Sequence, residues 1–334
     1  MKRKVINFIL FLIILSLVVY VLRDIDLMEI FNLVRNINPW LLALAFLLIF
    51  LAYVSGIIRW KISLSTLKKV KLKHLFVLHF AGLFINTITP GAQTGGEPVR
   101  AYYLGRLYKS DTTKFFGATL ADKTFNLIAI FSIVAFSVLT LFIFASIPTS
   151  LKIFFQTLIV SVILLVVLSS FIYMKKYHLN IIEYVVRITH KNFMKERFKK
   201  LSEFKEYLEK RRKYFIKEYK KVLLNKRILI TGILLSYINW ILVFLASFVL
   251  FYAFENPVSY LSILIVVSIS EIVGNLSPLP GGIGVTETTM FLLYSLFSIS
   301  SPVALSVAVL VKAIHYFYAL VIGSLALNYA RKNY

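Results

Sequence analysis

The chain has 334 residues, of which 59% are hydrophobic, and its mean hydropathy is +0.81. Soluble domains are usually about 45–50% apolar, and here the excess lies in long blocks, which excludes a soluble enzyme and a DNA-binding domain. The net charge of +23 comes from basic residues between those blocks, so we expect no nucleic-acid partner. The absence of cysteine excludes disulfides and thiolate metal sites.

Six apolar segments are long enough to cross a bilayer, since a helix needs about 20 apolar residues to span about 30 Å of hydrocarbon. Each is predicted to be a helix because lipid offers the backbone no hydrogen-bond partners. The predicted spans are 5–22, 40–58, 115–146, 151–174, 228–254 and 302–330. The first follows the cations Lys2 to Lys4, and no small-x-small cleavage site comes after it, so residues 1–22 are predicted to be a retained signal anchor.

Two further apolar regions are interrupted. Residues 75–88 run into 89–98, and residues 261–276 run into 277–284, and each break holds two prolines and three glycines. Proline and glycine at this density stop a helix. We therefore predict two re-entrant hairpins, each made of half-helices that meet at a non-helical tip. The alternative is that these residues only kink two long helices.

Basic residues between the spans set the orientation, because cytoplasmic loops are enriched in lysine and arginine. Arg59 and the cations that follow it, and Arg100 and those that follow it, are predicted to be cytoplasmic. The longest loop, residues 175–227, holds 18 Lys or Arg against 6 Glu and is also predicted to be cytoplasmic. This places a multi-pass protein in the cell membrane with both termini in the cytoplasm. The first hairpin then enters from the cytoplasmic side and the second from outside.

The order of spans and hairpins repeats. Residues 40–146 and 228–330 share one layout with opposite orientations, with 151–174 as a linking span and 175–227 as the basic loop. The tips correspond in order: Asn86, Pro90, Gly91, Gly96 and Glu97 in the first, and Asn275, Pro278, Gly281, Gly284 and Glu287 in the second. The predicted fold is all-α, a single integral membrane domain over 1–334 with about six full spans and two re-entrant hairpins in an inverted repeat. Secondary transporters of this build bind substrates near the midplane, between the repeats.

Charged residues after the first tip are candidates for substrate binding. Glu97 and Arg100 are three apart and share one helix face, and the alternative is a local ion pair at the interface. Asp122 and Lys123 lie in a span of about 32 residues, longer than the hydrocarbon requires. Counting about 20 residues back from the end of this span places both residues near the cytoplasmic interface. There the long side chain of Lys123 could extend to the membrane surface, which would explain a lysine in this span without a role in binding.

Three charged residues in the second repeat are predicted to reach the middle of the bilayer. They are Glu271, Glu287 and Lys312, and charges there pair or line a wet cavity because burying them alone is costly. His315 and Tyr316 lie one turn from Lys312 on the same face. We predict a contact between Glu287 and Lys312 that faces a central cavity, and the alternative is a purely structural ion pair.

The glycine-rich second tip, with Asn275 before it, is predicted to border the substrate site. Gly281, Gly282 and Gly284 let a ligand approach the backbone, and the half-helix that follows directs free N–H groups toward an anion such as a phosphate headgroup. Glu287 in its first turn competes for the same donors. We find no metal-ligand spacing and no nucleophile–base pairing in the sequence, so we expect neither a cofactor nor an enzyme.

Three motifs carry a family resemblance over nearly the whole chain. They are Pro90-Gly91 through Gly95-Gly96-Glu97-Pro98-Val99-Arg100, Asp122, and Pro280-Gly281-Gly282-Ile283-Gly284-Val285-Thr286-Glu287. They resemble the lysylphosphatidylglycerol synthase transmembrane-region family, also called flippase-like integral membrane proteins. Because the chain ends at Tyr334, soon after the last span, the resemblance implies a stand-alone member without the soluble synthase domain. Lys123 after Asp122 departs from the family pattern, which puts the role of Asp122 in question.

The resemblance also suggests what the protein does. In the bifunctional members the membrane domain flips an aminoacylated phospholipid, so we expect a flippase-like protein that binds or translocates an anionic phospholipid or a polyprenyl-linked lipid. Other members are associated with glycosyltransferases, so the alternative is a non-catalytic membrane partner of a glycosyltransferase or another lipid-modifying enzyme. The basic loop 175–227 is the expected contact, although it also fits an anionic membrane surface or ordinary positive-inside bias.

Overall fold

The computed structural model describes residues 27–89, 95–144, 201–277 and 279–334, and it is helical with no strand in those ranges. The helices are α1 Leu27–Arg35, α2 Pro39–Leu64, α3 Leu72–Ile88, α4 Gly96–Leu107, α5 Thr112–Phe144, α6 Leu201–Leu223, α7 Lys226–Ala253, α8 Tyr260–Leu276, α9 Val285–Ser295, α10 Ser301–Tyr316 and α11 Gly323–Asn333. A short 3-10 helix, Pro280–Gly282, precedes α9, and a π-helical segment, Phe317–Ile322, joins α10 to α11. The predicted signal anchor 1–22 and the linking span 151–174 lie outside the described residues.

Four helical stretches in the described part of the chain are long and apolar enough to cross a membrane. They are Pro39–Leu64, Thr112–Leu141, Lys226–Ala253 and Ser301–Asn333. Each overlaps one predicted span, so four of the six spans are confirmed and the protein is a multi-pass, all-α membrane protein. The shorter apolar helices α3 and α8 correspond to the two interrupted regions.

Side-chain caps fix where three of these helices begin. Asn38 precedes Pro39, and its Oδ1 accepts hydrogen bonds from the backbone N–H groups of Trp40 and Leu41 at 3.0 and 3.4 Å. Asn225 caps α7 in the same way, and Ser259 caps α8. Capping satisfies N–H groups that a helix start leaves without partners, and such groups are costly to bury in lipid.

The chain forms two compact units. One comprises Met1–Ser137 and Glu218–Tyr334, and the other is Val138–Lys217. Within the second unit the structure describes residues 138–144 and 201–217, which are helical. All the predicted site residues belong to the first unit, and so do the cavities described below.

Both interrupted regions fold back on themselves. The backbone of Gly96 approaches the carbonyl of Gly82 so closely that a Cβ on Gly96 would collide with it. Fourteen residues of continuous helix would separate the two positions by about 21 Å. In the second region a Cβ on Gly282 would lie 2.6 Å from the carbonyl oxygen of Gly274. The described helices α3 with α4, and α8 with α9, are therefore hairpins, and the alternative of two kinked long helices is wrong.

The two predicted repeats interlock. Helix α2 packs along α7, and α3 packs against α11. Helix α5 meets α8 through a hydrogen bond of 3.0 Å between the buried hydroxyls of Ser137 and Ser268. The tips also meet, because a Cβ on Gly281 would lie 3.4 Å from the carbonyl oxygen of Thr87. Each hairpin is thus held by a helix of the other half, while the opposite orientation of the halves stays a prediction.

Candidate functional site

Two adjoining cavities lie where these helices meet. The larger holds about 350 Å³ and is lined from α2, α3, α4, α5, α7 and α8. The smaller holds about 210 Å³ and reaches the second tip and α10. They share six wall residues: Tyr53, Leu83, Asn126, Asn239, Trp240 and Glu271. A polar interior between interlocked hairpins is where the repeat pattern predicts a substrate site.

A buried ion pair joins α2 to α5 in the wall of the larger cavity. The Nε of Arg59 donates to Asp122 Oδ1 at 2.9 Å, and Nη2 donates to Oδ2 at 3.3 Å. The remaining Nη1 donates to Asn126 at 3.1 Å and to Ser236 on α7 at 2.9 Å. A bidentate pair with its other donors satisfied is the geometry that offsets the desolvation of two buried charges. The structure therefore buries Asp122 as the counter-charge of Arg59, and its predicted depth near the cytoplasmic interface stays a prediction.

This pair corrects one assignment. Arg59 is predicted from the sequence to be the first cation of a cytoplasmic loop, but α2 continues to Leu64 and leaves the residue only 8% exposed. Positive-inside counting treats every cation after an apolar run as a loop residue. It misses a cation that follows the run on the inward face of the same helix.

A second ion pair joins α4 to α5. The Nζ of Lys123 donates to Glu97 Oε1 at 3.2 Å. Asn86 on α3 supports the acid, because its Oδ1 accepts from the backbone N–H of Gly96 at 2.6 Å while its Nδ2 lies 3.5 Å from Glu97 Oε1. The alternative of a local Glu97–Arg100 pair is therefore wrong, and Lys123 has an acidic partner within the protein.

Arg100 differs from these two cations. Its guanidinium carbon lies 5.4 Å from the ring centre of Trp60, and the residue is 8% exposed. Its side chain crosses α3 at Gly82, where a Cβ would collide with the arginine Nε. The buried Nε finds no hydrogen-bond acceptor in the described ranges. Arg100 is therefore not a loop residue, because it belongs to α4 and lines the wall of the larger cavity, while its predicted cytoplasmic side stays a prediction.

Lys312 pairs with an acid other than the one predicted. Its Nζ donates to Glu271 Oε1 at 2.7 Å, between α10 and α8. Glu287 is half-buried in the first turn of α9, and its Oε2 has no hydrogen-bond partner among the residues described. The predicted Glu287–Lys312 contact is wrong, because the described chain holds no ion pair between these two residues within 4 Å and the ammonium of Lys312 is paired with Glu271 instead. Glu271 and Lys312 both line the smaller cavity.

Two further side chains predicted to share the face of Lys312 also line the smaller cavity. His315 Nδ1 lies 2.7 Å from the hydroxyl of Tyr53, and Tyr316 borders the same space. The π-helical segment begins directly after Tyr316. Single π turns inside α-helices are frequent at functional sites, because the wider turn reorients the side chains beside it.

The second tip is built on three glycines in the left-handed region. Gly281, Gly282 and Gly284 have φ of 64°, 69° and 80°. Gly281 lines the smaller cavity, and Asn275 lines the larger one. Gly282, Gly284 and Glu287 line neither, so of the ten predicted site residues these three take no part in the walls.

The larger cavity also reaches the outer surface between α5 and α8. Leu127 and Phe131 on α5, and Leu276 at the end of α8, line the cavity yet are 40–59% exposed. The Ser137–Ser268 contact joins the same helices about two to three turns away from these residues. We call this opening, bordered by Leu127, Phe131 and Leu276, the lateral slit.

Comparison with known proteins agrees with this architecture. The model of the family described as the lysylphosphatidylglycerol synthase transmembrane region matches residues 7–323. The chain belongs to this family. The resemblance drawn from the tip motifs is thereby confirmed, and the match extends well beyond those motifs.

Several archaeal proteins are similar to this family member over most of its length. A UPF0104 membrane protein of Methanocaldococcus jannaschii is 30% identical over 98% of this chain and 94% of its own. One of Pyrococcus horikoshii is 28% identical over 86% and 87%. One of Methanothermobacter thermautotrophicus is 27% identical over 90% and 88%.

In this lysylphosphatidylglycerol synthase transmembrane-region protein, several polar wall residues were not predicted as site residues, among them Arg59, Asn126 and His79. Arg59 stands where the apolar run ends, and Asn126 is one turn after Asp122. His79 lies in the apolar helix α3, 9% exposed, with neither ring nitrogen hydrogen-bonded in the described part of the chain. A polar residue inside an apolar half-helix was the available signal for His79. Nothing in the sequence gave its partners.

Proposed function

We propose that this protein is flippase-like and binds and translocates an anionic lipid, a phospholipid or a polyprenyl-linked lipid, without a chemical step. The observation that carries the proposal is the lateral slit, which joins a charged cavity to the apolar outer face. A water-soluble solute has no use for an apolar side opening. A lipid does, because its headgroup can occupy the cavity while its chains remain among other lipids.

The lining of the slit supports this division. Leu127 and Phe131 are four residues apart and so lie on one face of α5. Exposed apolar residues on a membrane-spanning helix face hydrocarbon. Asp122 and Lys123 lie about one turn from Leu127 on the same helix, so the wall changes from apolar to charged over a few ångströms. Such an amphipathic wall matches the junction between a headgroup and its chains.

The test uses proteoliposomes with a fluorescent phosphatidylglycerol, whose movement between leaflets is followed by chemical quenching from outside. Because the chain lacks cysteine, Leu276→Cys introduces a single thiol at the slit. We expect a bulky methanethiosulfonate reagent to stop movement in this variant and a reductant to restore it.

Leu325→Cys is the matched control, because Leu325 is also an exposed apolar residue, at 65%, and lines neither cavity. Equal movement in protein-free liposomes would contradict translocation. Equal inhibition of the two cysteine variants would contradict the lateral slit as the route.

The alternative, a membrane partner of a glycosyltransferase, is supported by a different surface. Lys210, Lys213, Lys217 and Lys220 are all exposed, and their spacing places them on one face of α6. A continuous basic stripe can bind an acidic protein surface or anionic lipid. Replacing the four lysines by glutamine should abolish co-purification with such an enzyme while leaving lipid movement intact, if this is the function.

We also propose that the protein lies in the cell membrane with both termini in the cytoplasm. The exposed stripe on α6 is consistent with the cytoplasmic placement of basic residues. Tags at either end should resist external protease in intact cells. Cleavage of either tag would contradict the cytoplasmic placement of that terminus, and cleavage of both would reverse the assigned topology.

A further inference from the structure

We infer that Arg100 and His79 form a subsite for a phosphodiester that carries a single negative charge. This rests on the proposed function and names the headgroup chemistry that the larger cavity selects. The two residues lie on different helices of the first hairpin and line the same cavity.

The charge balance of the two cavities identifies Arg100 as the lining cation that can bind an anion. Four cations line them, and three have a carboxylate within 3.2 Å: Arg59 with Asp122, Lys123 with Glu97, and Lys312 with Glu271. Arg100 is the fourth, and the described ranges place no carboxylate within 4 Å of its nitrogens. The lining therefore carries one surplus positive charge. A buried guanidinium without a counter-charge is costly, and it persists where a ligand supplies that charge.

The position of Arg100 suits an anion. The guanidinium carbon lies over the Trp60 ring at 5.4 Å, which holds the group without neutralising it, and the two terminal nitrogens are not among the buried, unpartnered atoms of the described chain. Gly82 keeps the path of the side chain open across α3. A planar fork of donors matches two phosphate oxygens.

His79 supplies the second donor. It lies three residues before Gly82 on α3 and so occupies the adjacent turn of the face that Arg100 crosses. The imidazole makes edge contacts with the rings of Tyr53 and Phe80 at 5.8 and 5.7 Å, which fix its plane. Both ring nitrogens are buried and have no hydrogen-bond partner in the described chain. One nitrogen of a neutral imidazole carries a proton that can be donated to a phosphate oxygen.

The single surplus positive charge of the cavity lining favours a phosphodiester over a phosphate monoester. A phosphodiester carries one negative charge and neutralises the lining. A phosphate monoester carries about 1.5 to 2 negative charges at neutral pH, and the excess would face Glu97 and Asp122 in the same wall. Phosphatidylglycerol and polyprenyl phosphoryl sugars are both phosphodiesters, so the subsite chemistry is common to these two sources.

Binding of four defined lipids to the purified full-length protein in detergent tests the subsite. They are phosphatidylglycerol, a polyprenyl phosphoryl hexose, polyprenyl monophosphate and neutral diacylglycerol. We expect at least one of the two phosphodiesters to bind at least tenfold more tightly than either the monophosphate or diacylglycerol, and the tighter of the two identifies the source. Tighter binding of the monophosphate would overturn the charge match.

Arg100→Gln should raise the Kd for the phosphodiester at least tenfold, and His79→Phe about threefold. The matched control is Arg106→Gln on the same helix, where an exposed arginine stacks on Tyr102 at 5.9 Å and lines neither cavity. Wild-type affinity in Arg100→Gln would overturn the subsite even if lipid movement continues. Absence of lipid binding by the wild-type protein would overturn the proposed function as well.

Unfolding of the lipid-free protein gives an independent readout. Because no carboxylate of the described chain lies within 4 Å of the Arg100 nitrogens, Arg100→Gln should leave the unfolding temperature unchanged or raise it. A marked fall would assign Arg100 a structural role and overturn the subsite. Arg100→Lys keeps the charge but loses the fork, and we expect it to bind with an intermediate affinity.

Discussion

The first hairpin brings charge to the cavities on the half-helix after its tip, whereas the second brings it on the half-helix before its tip. Glu97 and Arg100 follow the first break, while Glu271 precedes the second and Glu287, which follows it, lines neither cavity. The second hairpin contributes an acid that Lys312 neutralises, and the first contributes the surplus cation. The similar tips therefore supply a common scaffold, and the charges placed on it are asymmetric. An asymmetric site fits a ligand with one charged end.

The largest expected effect concerns the buried ion pair between Arg59 and Asp122, which joins α2 to α5 in the first repeat. Asp122→Asn keeps the shape of the side chain but leaves Arg59 buried without its counter-charge. We expect the free energy of unfolding to fall by about 3–5 kcal/mol, measured by SDS titration with circular dichroism. Glu97→Gln should lower it less, since its partner Lys123 is 23% exposed and can reach water. Equal losses would show that burial does not distinguish the two pairs.

The second test breaks the neutral pair of the second hairpin. Lys312→Met leaves Glu271 buried without a cation, and we expect a loss of about 3 kcal/mol, slightly less than for Asp122→Asn because the Glu271 side chain is 14% exposed. Adding Glu271→Gln should recover most of this loss, because it removes the orphaned charge.

Glu287→Gln is the control for the second test, and we expect a change within about 0.5 kcal/mol. Rescue of Lys312→Met by Glu287→Gln but not by Glu271→Gln would indicate that Lys312 pairs with Glu287, as the sequence predicts, and not with Glu271. The same SDS titration measures all four variants.

The features that could be predicted from the sequence are those set by residues close together in the chain. Spans such as α2 and α7 follow from length and apolarity, because lipid imposes both. The breaks follow from proline and glycine. The family follows from the tip motifs. These features depend on residues close together in the chain.

Partner choice could not be predicted in the same way. Glu271 and Glu287 are equally available to Lys312 by predicted depth, and it is the arrangement of α8 and α10 that brings Glu271 into contact. Arg59 and Arg100 were assigned to loops because counting cations along the chain ignores which helix face they occupy. Contacts across 63 residues, as between Arg59 and Asp122, require the packed helices.

The third test asks whether the breaks themselves are equivalent. Gly282→Ala places a Cβ at φ 69° and 2.6 Å from the carbonyl oxygen of Gly274, and we expect a loss of about 2 kcal/mol. Gly96→Ala should act in the same direction through the collision with Gly82. Gly56→Ala is the control, because its Cβ would make an ordinary contact of 3.6 Å with a histidine ring. A tolerated Gly282→Ala would indicate that the second tip can rearrange without loss.

The smallest expected effect distinguishes two asparagines that correspond in the sequence. Asn86 accepts from the backbone N–H of Gly96 at 2.6 Å and so caps the start of α4. Asn86→Ala should lower the free energy of unfolding by about 1 kcal/mol, as loss of a helix cap does. The variant should also weaken lipid binding, because the cap positions the first turn of α4, which carries Glu97 and Arg100.

Asn275→Ala provides the matched control, since Asn275 lines the larger cavity and, among the residues that the structure describes, makes no hydrogen bond that would hold the second tip. We expect its free energy of unfolding to stay within about 0.5 kcal/mol of the wild type. The second break is fixed instead by Ser277, whose Oγ accepts from Leu279 N at 3.1 Å, and by Thr286, whose hydroxyl donates to the Gly282 carbonyl at 3.2 Å. Equal losses at both asparagines would mean that the two tips are held alike, and the asymmetry would then lie in the charges alone.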